Sequence, residues 1–403
     1  MSNGSSITIN SDGSLNVPEN PIIPYIPGDG SGSDIWNAAA PVFDAAVESA
    51  YRGRRRVHWM EVLAGGKAHD RTGVWLPEET IEMFRRHRVG IKGPLSTPVG
   101  GGIRSVNVLI RHRLDLYACI RPVRHVPGVP APVRQPEKVD MVIFRENTED
   151  VYSGLEWPSG SAEAADLIEY IRSKLGRNIR PDSAVGIKPM SPFGSKRLVR
   201  RAIKWALAHG RRSVTLVHKG NIMKFTEGGF RQWSYELALE EFPDSTMIES
   251  DAADGPAGSD RIILKDRIAD AMFHEVLVQP GEYDVLAMPN LNGDYLSDAL
   301  AAQVGGLGMA PGANVGDEAA VFEATHGTAP TQAGKDTVNP GSVILSGALM
   351  FDHIGWSEAA EKIRDAVTRT VSEGIVTRDL ARQMENAVEV KCSEFGRAVA
   401  ERL

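Results

Sequence analysis

Short apolar runs alternate along the chain with segments of helical period. Ile22–Ile26 is apolar around Pro24 and leads through Gly28-Asp29-Gly30-Ser31-Gly32 into a helical pattern that continues to Ala50, which reads as strand, turn and helix. Pro77 opens a helix over 77–88 with Ile81 and Phe84 inside it, and a strand follows at 89–91. Further strands are expected at 61–64, 141–144, 214–217 and 285–288. Leu198, Val199, Ala202, Ile203 and Ala206 mark the apolar face of a helix over 196–208, and helices over 225–239 and 295–302 follow strands. Loops are expected at 157–164 and 249–260, and a weakly patterned Gly-rich stretch at 305–316. The last helices fall at about 342–354, 357–373 and 377–387, while residues 1–20, rich in Ser, Asn and Gly, read as a mobile terminus. This alternation predicts α/β architecture with sheets at least partly parallel, and no fixed-period repeat suggests a solenoid or propeller.

Composition narrows the function classes. A length of 403 residues suggests two or three domains, and 42% hydrophobic with 24% charged residues is ordinary for a folded chain. A net charge of −7 without long runs of like charge speaks against nucleic acid held by electrostatics. No stretch is apolar enough to expect a membrane span, and the N-terminus does not read as a secretory signal. Two cysteines, Cys119 and Cys392, make no disulfide framework or zinc set, and a cytoplasmic location is expected.

Six stretches carry candidate chemistry. Gly28-x-Gly30-x-Gly32 is not a dinucleotide fingerprint, because the third glycine would fall at Ser33; a tight strand-to-helix turn is favoured. Residues 91–111, IKGPLSTPVGGGIRSVNVLIR, hold a Gly100–Gly102 loop read as mobile, then Arg104, Ser105, Asn107 and Arg111. If Ser105 opens a helix, its hydroxyl and the free backbone N–H groups form an anion site, and arginine forks match carboxylates. With Arg121 and Arg145 they outline a pocket for a small polyanion, or else separate solvated charges. Tyr152, close after a strand, can donate a proton or simply pack. Lys219 at a buried strand end suits a general acid or base, or an ion pair with a nearby carboxylate. Asp294 and Asp298 stand four apart, as do Asp266 and Asp270; on one helix face such a pair would call for a hard cation such as Mg²⁺ or Mn²⁺, the alternative being an N-capping and an exposed aspartate. The small, polar HGTAP loop with Asn339-Pro340-Gly341-Ser342 can wrap phosphates without being a Walker loop, and Arg378 and Arg382 share one face of a helix that Thr377 could cap.

Taken together and in this order, IKGPLSTPVGGGIRSVNVLIR, RPVR, MVIFRENTEDVYSGLEW, VHKGNIMKFTEGGF, NLNGDYLSDALAAQVGG and FEATHGTAP…NPGS resemble the bacterial, NADP-dependent branch of the isocitrate/isopropylmalate dehydrogenase family, metal-dependent β-decarboxylating enzymes. The resemblance runs from about Ile22 to the end, and the Ser105/Asn107 pair points to isocitrate within it. It implies an α/β fold distinct from Rossmann, with a large domain (1–116 and 305–403), a small domain (117–149 and 192–304) and a dimerisation clasp (150–191). It implies a reaction of the tricarboxylic acid cycle, isocitrate to 2-oxoglutarate and CO₂, with NADP and Mg²⁺ or Mn²⁺, in a homodimer with shared active sites. Ser105, Asn107, Arg111, Arg121 and Arg145 would hold substrate; Tyr152 and Lys219 would transfer protons, Lys219 reaching in from the partner subunit. Asp294 and Asp298 would bind the metal with Asp270 of the other chain. Ser96, the loop His326-Gly327-Thr328-Ala329-Pro330-Thr331-Gln332, Asn339, Arg378 and Arg382 would lie along the cofactor.

The sequence departs from that pattern at the adenosine end. NADP-dependent relatives place Lys-Tyr after HGTAP, where this chain has Thr331 and Gln332; the acidic residue typical of NAD-dependent relatives is absent too. Arg378 stands where the NADP pattern has tyrosine, so two arginines favour a 2′-phosphate and NADP, with NAD the alternative. Some relatives are controlled by a kinase acting on the serine equivalent to Ser105, where a phosphate would repel the substrate. Two competing functions are a homologous 2-hydroxy acid such as homoisocitrate or isopropylmalate, which would need an apolar residue at position 105, and a catalytically silent subunit, which would be expected to lose Tyr152, Lys219 or the aspartates.

Overall fold

Strands from both halves of the chain meet in a single sheet of eleven among the residues described by the computed structural model, which are 4–96, 105–252 and 261–403. In spatial order they are Thr246–Ile248, Ile262–Ile268, Ser213–His218, Val285–Met288, Asp140–Glu146, Ala118–Arg124, Pro311–Val315, Ala320–Ala324, Val89–Lys92, Ile22–Ile26 and His58–Glu61. The first five run parallel to one another, and so do the last four. Ala118–Arg124 and Pro311–Val315 join the two blocks by antiparallel pairing. The expected α/β architecture is present.

Helices cover both faces of the sheet, so most residues of the central strands are buried and apolar, with Arg121, Arg145, Asn314 and Glu323 as buried polar exceptions. One core combines Phe43 of helix Gly32–Tyr51 with Phe351 of Gly341–His353, Ile363 of Ser357–Ser372 and Phe395 of Cys392–Ala400. Helix Pro192–Ala208 buries its predicted stripe of Leu198, Val199, Ala202, Ile203 and Ala206 with Phe144, Leu216 and Phe230 in a second core. A third joins Met141, Ile143 and Leu286 to Leu296 and Leu300 of helix Asn290–Ala302.

Several sequence expectations need correction. Residues 4–20 are not a loose end: Thr8–Ile9 pairs with Leu15–Asn16, and Ile7 is fully buried. The strand expected at 61–64 is His58–Glu61, with Trp59 wedged among aromatic rings. The loop expected at 157–164 ends early, because Ser161 caps helix Ala162–Leu175 by accepting from the Ala164 N–H. The Gly-rich stretch at 305–316 contains strand Pro311–Val315, whose small residues pass between neighbouring strands. The helix over 377–387 shrinks to Arg378–Ala381, flanked by paired strands Ile375–Val376 and Val388–Glu389. Of the loop over 249–260, Glu249–Ala252 is helical and 253–260 lies outside the described residues.

The turn at Gly28–Gly32 is where the fold reaches the functional end. Gly30 has φ +56, and a Cβ there would sit 2.3 Å from the Thr328 carbonyl oxygen. That carbonyl accepts from the Ser31 N–H at 2.9 Å. The turn therefore grips the 326–332 loop through its backbone.

Phe43 is fully buried, with its ring 6.1 Å from Phe351, 5.7 Å from Trp59 and 6.2 Å from Trp36, centroid to centroid. Phe43→Ala is expected to cost about 3–5 kcal/mol through lost burial and a cavity. Urea midpoints at fixed subunit concentration check this, and a loss below about 1 kcal/mol would contradict it.

Candidate active site

Antiparallel register sets the first two arginines. Cys119 of Ala118–Arg124 pairs with Arg145 of Asp140–Glu146, so Arg145 and Arg121 emerge on one face. Helix Asn290–Ala302 follows the neighbouring strand Val285–Met288 and lies over that face. Gly293 makes room, since a Cβ there would be 2.5 Å from the Arg145 Cγ. Arg145 donates from Nε to Asn290 Oδ1 at 2.8 Å and forms an ion pair with Asp294. Arg121 donates to Ser297 Oγ at 2.5 Å and to Asp298 Oδ1 at 3.3 Å. Tyr152, on the short turn Asp150–Ser153, donates to Asp294 Oδ2 at 2.6 Å, and its ring lies 4.9 Å from the Arg145 guanidinium carbon.

Arg111 comes from helix Val106–Arg113 and donates to Glu323 Oε1 at 2.8 Å. Lys92 Nζ lies 2.5 Å from Glu323 Oε2, Asn314 donates to Glu323 Oε1 at 2.7 Å, and Asn147 donates to Asn314 Oδ1 at 2.9 Å. Burial pushes the Glu323 carboxyl up, but Lys92 and Arg111 outweigh it and hold the group well below the usual range. Sequence reasoning missed Lys92, Glu323, Asn147 and Asn314. The signal was available: charged residues inside the otherwise apolar runs Val89–Lys92 and Ala320–Ala324 need partners if the strands are buried, as they are.

Ser105 occupies the cap position before Val106–Arg113, as expected, yet its hydroxyl makes no capping bond. Arg104 and the Gly100–Gly102 loop lie outside the described residues. Buried polar atoms nearby lack partners among the described residues: Nε of Arg111, Nε of Arg121 and Oδ1 of Asn107. Donors and an acceptor stranded in this way are suited to a ligand that is itself both acceptor and donor.

Asp294 and Asp298 share a face within the helix, so the N-capping alternative is excluded. Burial raises Asp294, but Arg145, the Tyr152 hydroxyl, Arg121 and Arg111 together hold its carboxyl below the ordinary value. Asp298 goes the other way, lifted by burial against the pull of Arg121 and lifted further by the Asp294 charge. Among the described residues no third His, Cys, Asp or Glu completes a metal-binding group. Asp270 instead pairs with Lys219 of its own chain, at the ends of strands Ile262–Ile268 and Ser213–His218. Asp266 is no companion to it: Asp266 lies within strand Ile262–Ile268, accepting from Tyr235 at 2.8 Å and lying 3.0 Å from His218 Nε2.

A cavity of about 550 Å³ lies beside the HGTAP loop. Its lining includes the expected His326, Gly327, Ala329, Gln332, Asn339, Arg378 and Arg382. Ser31, Gly308, Thr337, Val338 and Asp379 line it too, without having been singled out in the sequence. Thr328, Pro330, Thr331 and Ser96 do not line it: Thr328 faces the Gly28–Gly32 turn through its carbonyl, and the Ser96 N–H donates to Asp29 Oδ2 at 2.8 Å. Neither Arg378 nor Arg382 has an ion-pair partner among the described residues. Thr377 does not cap Arg378–Ala381; its hydroxyl bonds the Asp379 side chain at 2.5 Å.

A family profile described as isocitrate/isopropylmalate dehydrogenase matches residues 22–399. A Staphylococcus epidermidis protein named isocitrate dehydrogenase [NADP] is 55% identical, covering 96% of this chain and 97% of its own. A Pseudomonas aeruginosa protein of the same name is 54% identical, covering 98% of this chain and 96% of its own. Among solved structures, an isocitrate dehydrogenase from Methylococcus capsulatus superposes with a TM-score of 0.79 at 37% identity, covering 95% of this chain and 99% of that one.

The Lys92–Glu323–Arg111 cluster yields a stability prediction. Glu323→Gln strands two buried cations and is expected to cost about 3–5 kcal/mol at pH 7. The Glu323 carboxyl is lower in the folded than in the unfolded chain, where it titrates near about 4.3. Its contribution is thus complete above that pH and lost as pH falls below it towards the folded value. Urea titrations between pH 7 and pH 3 should show a shallower acid loss for the variant than for the parent; parallel curves would refute the assignment.

Proposed function

Since the chain belongs to the isocitrate/isopropylmalate dehydrogenase family, we propose that the arginine–aspartate pocket oxidises isocitrate and removes its β-carboxylate, yielding 2-oxoglutarate and CO₂ as a hydride passes to NADP. The observation that carries this reading is the meeting of Arg121, Arg145 and Tyr152 on the Asp294–Asp298 face of one helix. Isocitrate carries about three negative charges near neutral pH. Arg111, Arg121 and Arg145 offset them, and the unpartnered Nε groups of Arg111 and Arg121 donate to its carboxylates. Ser105 and Asn107 complete the recognition from the start of helix Val106–Arg113.

Asp294 and Asp298 suit a hard divalent ion, Mg²⁺ or Mn²⁺, because two carboxylates one turn apart on a helix face, the Asp294 charge raising Asp298, favour a shared dication. When bound, such an ion supplies Lewis-acid polarisation of the C2 oxygen. Burial and the Asp294 carboxylate push the Tyr152 hydroxyl up to about 12, so at neutral pH it holds the proton to be delivered to the carbon that loses CO₂. Lys219 takes the proton from the C2 hydroxyl.

Lys219 and Asp270 pair with each other and touch none of the groups around Asp294 in their own chain. Exposed apolar residues surround both groups: Ile222 and Phe225 follow Lys219, and Tyr295 adjoins Asp294. A second copy burying these surfaces brings its Lys219 and Asp270 to Tyr152 and Asp294, making a homodimer with shared sites. The chain divides on this reading into a large domain (1–116 and 305–403), a small domain (117–149 and 192–304) and a clasp (150–191); the cores follow the first two, except that Val129 packs into the large-domain core. Arg378 and Arg382 hold the adenosine 2′-phosphate of NADP at the cavity, in place of Thr331 and Gln332. The Ser105 hydroxyl, which makes no capping bond, is the site for a regulatory kinase, and the buried thiols of Cys119 and Cys392 suit a reducing cytoplasm.

Two experiments test this. Steady-state assays with isocitrate should show kcat/KM for NADP above that for NAD and activity abolished by a chelator. Arg382→Ala should lower the NADP/NAD ratio by ~10-fold or more, since a charge-assisted pair to the 2′-phosphate is lost; an unchanged ratio would place the 2′-phosphate elsewhere. Mixed dimers of Tyr152→Phe and Lys219→Met chains should regain activity, about a quarter of wild type after random reassortment, because one of the two sites in each heterodimer is intact. No recovery would rule out shared sites.

A further inference from the structure

Behind the two proton-transfer groups lies a buried ionic network that substrate need not touch. Glu227 opens helix Glu227–Glu241 and is fully buried. Its Oε2 accepts from the backbone N–H of Lys219 at 2.5 Å and from Asn292 Nδ2 at 2.8 Å. Its Oε1 accepts from Lys188 Nζ at 2.8 Å. Lys188 Nζ also lies 2.7 Å from Asp150 Oδ1. Asp150 is buried, has φ +70 and accepts from the Leu291 N–H through Oδ2 at 2.9 Å. Two carboxylates and one ammonium therefore tie together four pieces of backbone: the turn bearing Tyr152, the 150–191 segment bearing Lys188, the helix bearing Asp294 and Asp298, and the strand end bearing Lys219.

The Lys219 end is fixed from several directions. The Gly220 N–H donates to His218 Nδ1 at 3.0 Å, and the Ile222 and Met223 N–H groups donate to the Lys219 carbonyl. Gly220 also packs so closely that a Cβ there would fall 2.8 Å from Gly228 Cα. A buried, hydrogen-bonded carboxylate has few alternative partners, so the network holds its members in one arrangement. Chemistry that moves protons between fixed atoms gains from such support, and a displacement of about 1 Å can cost ~100-fold in rate.

We infer that Glu227, acting with Lys188, is a positioning residue shared by two reaction centres: within one chain it locks Tyr152 and Asp294, which serve that chain's site, to Lys219, which serves the partner's. This rests on the shared-site reading above. Loosening the network in one subunit would then disturb both sites of the dimer, one through Tyr152 and the other through Lys219.

The test uses mixed dimers of Tyr152→Phe and Lys219→Met chains, which keep one working site. Glu227→Gln is added either to the Lys219→Met chain, whose Tyr152 works in that site, or to the Tyr152→Phe chain, whose Lys219 works there. Both placements are expected to lower kcat by ~10-fold or more with KM for isocitrate within about twofold, as for a lost supporting partner behind a reactive group. A loss in only one placement, in neither, or mainly in KM would overturn the inference. Should Glu227→Gln chains fail to assemble, Lys188→Met in the same two placements carries the same expectation, and Lys188→Arg should restore kcat to within about threefold. If the parent mixture shows no recovered activity, the shared-site reading has failed, which is a distinguishable result.

Discussion

Cationic groups buried at the antiparallel centre of the sheet set the terms for this structure. Arg121, Arg145 and Lys92 are almost fully enclosed, and Arg111 is nearly so. An unpaired charge in such a place would be prohibitively costly, so Glu323 and Asp294 have to stand beside them. The carboxylates do not balance the cations, however. The surplus positive charge, the stranded N–H groups and the partly exposed Asp298 leave a pocket whose neutral state is reached only with an anion in place. On the proposed reading, an acidic chain holds an anionic substrate because the ligand meets this local field, not the net charge of −7.

The topology makes that concentration of charge possible. In the parallel blocks, Val285–Met288 is wholly apolar, and Val214, Leu216 and Val217 fill Ser213–His218. Where Ala118–Arg124 and Pro311–Val315 reverse direction, segments from distant parts of the chain come level, Arg145 beside Cys119 and Asn314 beside Cys119 on its other flank, and in the adjoining parallel pair Glu323 stands beside Lys92. Asparagines bridge the junction, Asn147 just past Asp140–Glu146 to Asn314, and Asn314 to Glu323, linking segments far apart in the chain. A charge cluster that would disrupt a single strand is tolerated as a property of the pairing.

How much of this was legible in the sequence follows from the range of each interaction. Helix Pro192–Ala208 announced itself because its apolar stripe is local and has the right period, and Val285–Met288 because its run is uninterrupted. Pro311–Val315 and Ala118–Arg124 did not, since small or charged residues make their strand character depend on neighbours far away in the chain. At the site, Arg121, Arg145, Tyr152, Asp294 and Asp298 were named and are brought together, whereas Lys92 and Glu323 were passed over because neither means much without the other. Lys219 and Asp270 stand apart from that group within one chain, as a spacing argument could not have foretold.

If the cavity beside the HGTAP loop takes the cofactor as proposed, the same electrostatic requirement is met from a different position. The HGTAP loop is held by backbone contacts to the Gly28–Gly32 turn, which depend on Gly30 and not on the side chains at Thr331 and Gln332. Those two positions are therefore free to change without loss of loop geometry. Gln332 is partly occupied within the loop, accepting from the Thr337 hydroxyl at 3.0 Å, and brings no charge to the cavity. Across the cavity, Arg378 and Arg382 bring two cations that no carboxylate of the described residues neutralises. A phosphate is recognised by the potential and donors it meets, so on the proposed reading the positive charge comes from the facing turn instead of the loop, and different residues supply it.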